Sequence, residues 1–248
     1  MKVVIHQPYF LPWLGYFAKL VYCDKFIVSD DDEFSKWKFI ERTQIINSFG
    51  EKHWITIPIG ERYKEKINTI QFDNLKFTER IFQNFHSAYS KARFFKETIN
   101  PIQEIIYNSF RLNSKLVDIN ISIVGQILEL LELKKPEIIY SSNFNYIKDD
   151  TLRIINLIKQ NNCSTLITGN GGSIELLDLE KMNNSNINIY LQDYDKFHPE
   201  YYQTRRTKIG FAKGLSIVDC IFNEGLQKTK DILFEKNCEP KLYKKLNN

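Results

Sequence analysis

The chain has 248 residues, 43% of them hydrophobic and 26% charged, with a formal net charge of +4. That length supports a sizeable core, the basic residues are too scattered to form a nucleic-acid stripe, and no segment approaches the ~18 apolar residues of a membrane span. Cys23, Cys163, Cys220 and Cys238 lie far apart without a CxxC pair, so neither a zinc site nor a dense disulfide framework is expected, and reduced thiols in a cytoplasm fit the pattern.

In chain order, a single lysine leads straight into a β-branched run, so the start of the chain reads as a strand and not as a secretory signal. Lys2–His6 is a short buried strand closed by a proline-containing turn. Pro12 suits the first turn of a helix reaching about Tyr22, where its missing N–H needs no partner. Residues 25–29 form a second short strand, ended by the acidic run 30–33. A β-rich part follows, in which 54–59 is strand-like, "SFGE" is a turn, and 67–72 is its expected pairing partner. From 78 to 133 the apolar residues recur at helical spacing, which predicts a helical insertion over about 73–135. Alternation then returns. Glu137–Tyr140 is a strand, and 150–161 is a helix capped by Asp149. Residues 165–168 form a strand feeding the turn "GNGG" and a helix, and 187–192 form a last strand. The run "LSIVDCIFNEGLQKTKDILFEK" is helical with a break near 223–225, and the polar tail after Asn237 is expected to fray. Strands followed by helices predict an α/β fold: a mostly parallel sheet flanked by helices, in one domain over 1–248.

Ligands of such sheets sit beyond the carboxyl ends of the strands, and three segments leave at that end: 6–15, 29–34 and 169–173. The first carries His6, Gln7, Tyr9, Trp13, Gly15 and Tyr16. A histidine at a strand end, followed by a helix start, suits an anion; alternatively the aromatics are core and His6 bonds a carbonyl. "PWLGY" also resembles the H-x-G-H loop of nucleotidyltransferases and pantothenate synthetases, with Trp13 and Tyr16 at the places of the two histidines. In the second segment, adjacent acids repel one another, so Asp30 and Asp31 are either solvated or hold a cation such as Mg²⁺ or a substrate amine. In the third, Gly169, Asn170, Gly171 and Gly172 form a glycine-rich turn that lacks the pattern of a P-loop or a dinucleotide fingerprint. Arg42 can clamp phosphate or carboxylate, or pair with Glu41 or Glu33. Tyr202, Gln203, Arg205 and Arg206 can form a lid over an anion or a solvated charge run. His53, His86 and His198 read as structural or exposed. Ser114, Ser173 and Ser216 lack a nucleophile-elbow context, so a Ser-His-Asp hydrolase fits poorly.

Taken together, "HQPYFLPWLGYFAKL", the acidic strand end at 30–34 with Arg42 after it, "HWITIPI", "TGNGG", "YYQ" and "LSIVDCIFNEG" resemble the WbqC-like protein family, in order and over nearly the whole chain. The resemblance implies a cytoplasmic enzyme of bacterial O-antigen and surface-polysaccharide biosynthesis that transfers glycine or a similar amino acid onto an amino sugar. This chain departs from the family pattern at Asp32 and Glu33, at Ser173 to Glu175 and at 204–208. These changes alter charge near the site and fit a different substrate within the family.

The leading expectation is an amide-forming aminoacyltransferase acting on a nucleotide-linked amino sugar. An amino-acid donor would be activated by ATP as an adenylate, with phosphates on the 12–16 helix start and the 169–172 turn. His6 and Arg42 would stabilise charge, and Asp30 or Asp31 would hold Mg²⁺ or the ammonium. Two alternatives stand beside it: an ATP-independent transferase using a thioester donor with His6 as general base, and a non-catalytic sugar-nucleotide-binding protein.

Overall fold

The computed structural model describes residues 1–248 except 37, 63, 195, 205–209 and 244–248. Strands form where β-branched residues cluster. They are β1 (Lys2–His6), β2 (Lys25–Val28), β5 (Glu137–Tyr140), β6 (Thr165–Gly169) and β7 (Asn188–Gln192). With β8 (Lys241–Leu242) they make a six-stranded sheet in the order β5-β2-β1-β6-β7-β8, parallel except for β8. The fold is therefore α/β, as expected. From β1 the chain moves outward to β2 and then β5, returns past β1 to β6, and continues to β7. The winding direction reverses between β1 and β6, and such a reversal opens a crevice at the carboxyl ends of the two strands.

Side-chain alternation along the strands divides the core. Val4, Phe26, Val28 and Ile167 face α1 (Leu14–Leu20) and α8 (Ile217–Leu233). Val3, Ile27 and Leu166 face α5 (Asp150–Gln160) and α7 (Leu179–Asn184). The insertion consists of α2 (Phe77–Tyr89), α3 (Phe95–Leu112) and α4 (Leu116–Leu130), whose buried Ile81, Phe85, Ile102, Ile106, Ile123 and Ile127 join the α1–α8 side of the core. Asp149 caps α5 as expected, its Oδ1 accepting from Leu152 N at 2.8 Å. α8 breaks at Gly225, where φ is 79°. No helix among the described residues is long and apolar enough to cross a membrane.

Four local expectations are corrected. First, β4 (Lys52–Thr56) pairs with β3 (Arg42–Ile46) in an antiparallel hairpin, whereas Ile67–Thr69 forms a 3-10 turn. The short connection wins: Asn47 Oδ1 accepts from Phe49 N at 2.9 Å and Glu51 N at 3.0 Å, closing the loop locally. Second, α1 starts at Leu14, after Pro12, because Pro12 O is taken by Ile217 N of α8 at 2.9 Å, and it ends at Leu20. Third, the helix after the glycine turn is split into α6 (Gly172–Glu175) and α7, since Asp178 caps a new start by accepting from Glu180 N and Lys181 N, each at 3.1 Å. Fourth, the described part of the tail beyond Asn237 is anchored: Cys238 is fully buried, Gln192 Nε2 donates to Cys238 O at 2.9 Å, and β8 covers the edge of β7, while 244–248 lie outside the described residues.

Candidate functional site

A cleft of about 780 Å³ occupies the crevice at the β1–β6 reversal. Three strand ends reach it: His6, Gln7 and Tyr9 after β1; Ser29, Asp31, Asp32 and Glu33 after β2; and Thr168 of β6. Tyr146 and Arg153, from α5 and the segment before it, form its far wall, and Lys38 and Lys66 also line it.

The turn after β1 is braced from several directions. Asn120 of α4 donates through Nδ2 to Pro8 O at 2.9 Å and Ile40 O at 2.8 Å. Leu11 sits at φ 41°, uncommon for a residue with a side chain, and its carbonyl accepts from Thr43 Oγ1 at 2.7 Å and Ser216 Oγ at 2.8 Å. The insertion, the hairpin and α8 therefore all fix the segment that presents His6.

His6 is partly buried, its ring edge-on to Tyr9 and Tyr16 at centroid separations of 4.6 and 4.8 Å. Its Nδ1 lies 3.1 Å from Gln7 O. A carbonyl only accepts, so Nδ1 carries the hydrogen and Nε2 keeps its lone pair. Burial, and then the nearby Lys19 ammonium, hold His6 well below the usual imidazole range, so it is neutral at pH 7. Nε2 has no hydrogen-bond partner among the described residues. Burial and the neighbouring Asp32 push the Tyr9 phenol up to about 12, leaving it a proton donor at neutral pH.

The acidic turn is tied down by a residue far away in sequence. Arg153 Nη1 donates to Asp32 Oδ1 at 2.7 Å, and its Nη2 bonds Asp31 Oδ1. Asp32 Oδ2 accepts from Gln7 Nε2 at 3.1 Å, joining the first two strand ends. The Arg153 guanidinium and the Lys66 ammonium lie 5.0 and 5.6 Å from the centroid of the Tyr146 ring, which is 58% exposed and lines the cleft. Among the described residues, no three His, Cys, Asp or Glu side chains gather as a metal set.

The remaining candidates are spread more widely. Asp30 is buried beneath the cleft, accepting from Ser142 N at 2.9 Å, Ser142 Oγ at 2.6 Å and Asn68 Nδ2 at 3.2 Å. Asp31 lines the cleft but is also engaged by Ser141 Oγ. Arg42 lies on β3, outside the lining, donating through Nε to Lys38 O at 3.2 Å and stacking 4.0 Å above Trp54. The start of α1 is packed shut: a Cβ on Gly15 would lie 2.8 Å from Trp13 Nε1 and from the Tyr194 ring. Trp13 and Tyr16 serve that packing, and Tyr16 Oη donates to Gln7 O at 3.1 Å. Gly169, Asn170 and Gly171 do not themselves line the cleft, although Thr168 before them and Leu176 and Leu177 after the turn do, and what surrounds Gly172 lies outside the described residues. Gln203 is buried, donating through Nε2 to Ala212 O at 3.0 Å and Asp219 Oδ2 at 3.1 Å, while Tyr202 is 56% exposed away from the cleft. The lid expected at Arg205 and Arg206 lies outside the described residues. All four cysteines are buried, and burial pushes the thiols of Cys23 and Cys238 up to about 12, unsuited to nucleophilic attack.

The residues the sequence reading missed are Arg153, Tyr146, Lys66, Lys38 and Lys19. The first four come from segments remote from the strand ends and carry no local motif. Lys19 had a signal: it is the one charge in the apolar run "YFAKLVYC".

Comparison with known proteins places the chain in a family. The chain is 26% identical over 228 residues to the uncharacterized protein Rv1507c of Mycobacterium tuberculosis, covering 91% of this chain and 95% of that one. A model of the WbqC-like protein family matches residues 7–231, which takes in the β1 turn, the acidic turn, Arg153, the β6 end and most of α8. With nearly its whole length inside that match, the chain belongs to the WbqC-like protein family.

Proposed function

We propose that this protein is an enzyme that joins an aminoacyl group, such as glycyl, to the amine of a nucleotide-linked amino sugar of a bacterial surface polysaccharide. The carrying observation is His6: a neutral imidazole whose Nδ1 is committed to Gln7 O and whose Nε2 keeps a lone pair at the lip of the cleft. A sugar amine attacks an acyl carbon as the free base and must lose a proton once the C–N bond forms. His6 Nε2 accepts that proton, and the leaving group departs with the donor's former bonding pair. Glu33 at the rim draws the substrate in as an ammonium, which gives its first proton to bulk water before the free amine attacks, so that His6 takes only the second. Tyr146 offers an exposed ring on which a nucleobase stacks.

The donor enters already activated, as a thioester or similar ester. Two observations favour this over adenylate formation from ATP and Mg²⁺. The helix start assigned to the phosphates is closed by Trp13 and Tyr194, and both Asp30 and Asp31 are filled by serine and arginine donors.

The test is incubation of the protein with a panel of uridine- and thymidine-diphosphate amino sugars and with glycyl and acyl thioesters, with and without ATP and Mg²⁺, read by mass spectrometry. The expected result is an amide product without ATP, with a rate reduced by ~10²–10⁴ in His6→Ala. Product only with ATP would restore the adenylate route. Sugar-nucleotide binding with no product across the panel would leave a binding protein.

A further inference from the structure

Among the described residues, Lys19 is a cation without an anion. It lies on α1, all seven residues of which are buried, and is itself only 7% exposed. No carboxylate or carbonyl among the described residues lies within hydrogen-bonding or ion-pair distance of its Nζ. A buried charge of this kind is normally paired, because removal from water costs far more than packing returns. Burial lowers it only to about 8, so the ammonium persists at pH 7.

Its position gives the missing partner a place. Lys2, Val3 and Val4 of β1 stand opposite Thr165, Leu166 and Ile167 of β6, and continuing that register sets His6 level with Gly169 at the carboxyl edge. Alternation turns both toward the α1 face, from which Lys19 approaches: a Cβ on Gly169 would lie 3.9 Å from Nζ. Gly169 has neither a left-handed backbone nor a crowded surround that would demand glycine. Its missing side chain leaves open the space in front of the ammonium. The neighbouring ionisable group is His6, on which the Lys19 charge acts. The ammonium and the glycine thus lie beside the point where the sheet reverses its winding, next to a cleft that His6 and Thr168 line.

We propose that Lys19 Nζ is an anion-binding group at the edge of this cleft, outside its lining, holding a diphosphate oxygen of the ligand at the carboxyl edge between β1 and β6, over Gly169. The diphosphate belongs either to a nucleotide sugar or to the nucleotide part of a thioester donor. That choice of ligand rests on the function proposed above, whereas the anion site itself does not. Occupied, the site orients the substrate with its reacting end toward His6.

The test compares wild type with Lys19→Met, which keeps the length and buries well, and with Lys19→Arg. Isothermal calorimetry uses inorganic pyrophosphate, uridine, uridine diphosphate and coenzyme A as probes. Lys19→Met is expected to bind pyrophosphate and the preferred diphosphate at least 10-fold more weakly while uridine binding is unchanged, and Lys19→Arg is expected to recover part of the loss. The diphosphate that loses more identifies the ligand. In wild type, with ¹³C at the lysine ε carbons, pyrophosphate should shift the Lys19 resonance and move its titration upward, a readout that needs no variant to fold. Equal diphosphate affinity in wild type and Lys19→Met, or a Lys19 resonance that pyrophosphate leaves unmoved, overturns the proposal. Diphosphate binding through Lys19 without acyl transfer discards the proposed reaction and keeps the anion site. Transfer that survives Lys19→Met with KM unchanged does the reverse.

Discussion

At the scale of single residues, His6 and Lys19 are held away from their ordinary titration ranges by the same burial, with opposite consequences for use. His6 is made a neutral base, so its activity is not lost at neutral pH. For proton acceptance by His6, kcat/KM expressed per free-amine form of the sugar rises with pH through a value below 6.5 and is flat from there to about pH 7.5, as a pH–rate profile will show. A limb centred at or above 6.5 would mean that another group accepts the proton. Lys19 carries a stability cost. Its folded value of about 8 lies below the unfolded 10.5, so between those values the folded state binds fewer protons than the unfolded one. Stability therefore rises with pH across that window, and below pH 8 the full penalty, on the order of 3 kcal/mol, is present. Lys19→Met removes it. In urea titrations the variant is expected to be more stable than wild type at pH 7, with the gap closing between pH 8 and 10.5; a variant less stable at pH 7 would mean that the ammonium has a partner after all. A residue that destabilises the fold where an apolar one would serve belongs with function.

At the scale of elements, two helices depend on the absence of a side chain. Gly15 lets Trp13 and Tyr194 close over α1, and Gly225 lets α8 break, with φ at 79° and the Phe94 ring where a Cβ would go, 2.9 Å from its Cδ1. Gly225→Ala carries both the left-handed backbone cost and the clash, about 2–4 kcal/mol together, and should appear as a fall in denaturation midpoint at unchanged slope. A loss under 1 kcal/mol would mean that α8 straightens without penalty. The break at 223–225 was legible because a glycine interrupts a helical pattern, and β1, β5 and α5 were legible because β-branched runs and a capping aspartate are local signals. The partner of β4 was not legible, since two strand-like runs competed and the choice fell to the loop at Asn47. The split between α6 and α7 was decided by Asp178, an acid that in sequence looks no different from its neighbours. Two of the segments that bound the cleft, those after β1 and β2, were visible in the sequence, but their roles were not: Asp30 reads like Asp31, yet only Asp31 reaches the cleft.

At the scale of the molecule, the cleft exists because one guanidinium holds its two sides together. Arg153 on α5 reaches Asp31 and Asp32, more than a hundred residues earlier, and Asp32 reaches on to Gln7. In sequence Arg153 looks like the solvated face of an amphipathic helix, which is why no reading of local pattern could assign it. The side chains of Arg153, Asp31 and Asp32 are 13%, 6% and 24% exposed, so the ions are largely removed from water and each depends on the others. Arg153→Met leaves two adjacent carboxylates facing each other without a cation. Breaking a buried pair from one side costs about 3–5 kcal/mol, and the partial exposure of Asp32 brings the expected loss toward the lower end. If that loss is the stranded charge and not the lost packing, then adding Asp31→Asn and Asp32→Asn to Arg153→Met restores more than half of it, whereas the same pair of changes in the wild type destabilises. Equilibrium unfolding of the four proteins yields the coupling directly: independent, additive effects would mean that the cleft is held open by the sheet alone, and a coupling of 1–3 kcal/mol would assign its shape to the Arg153 clamp.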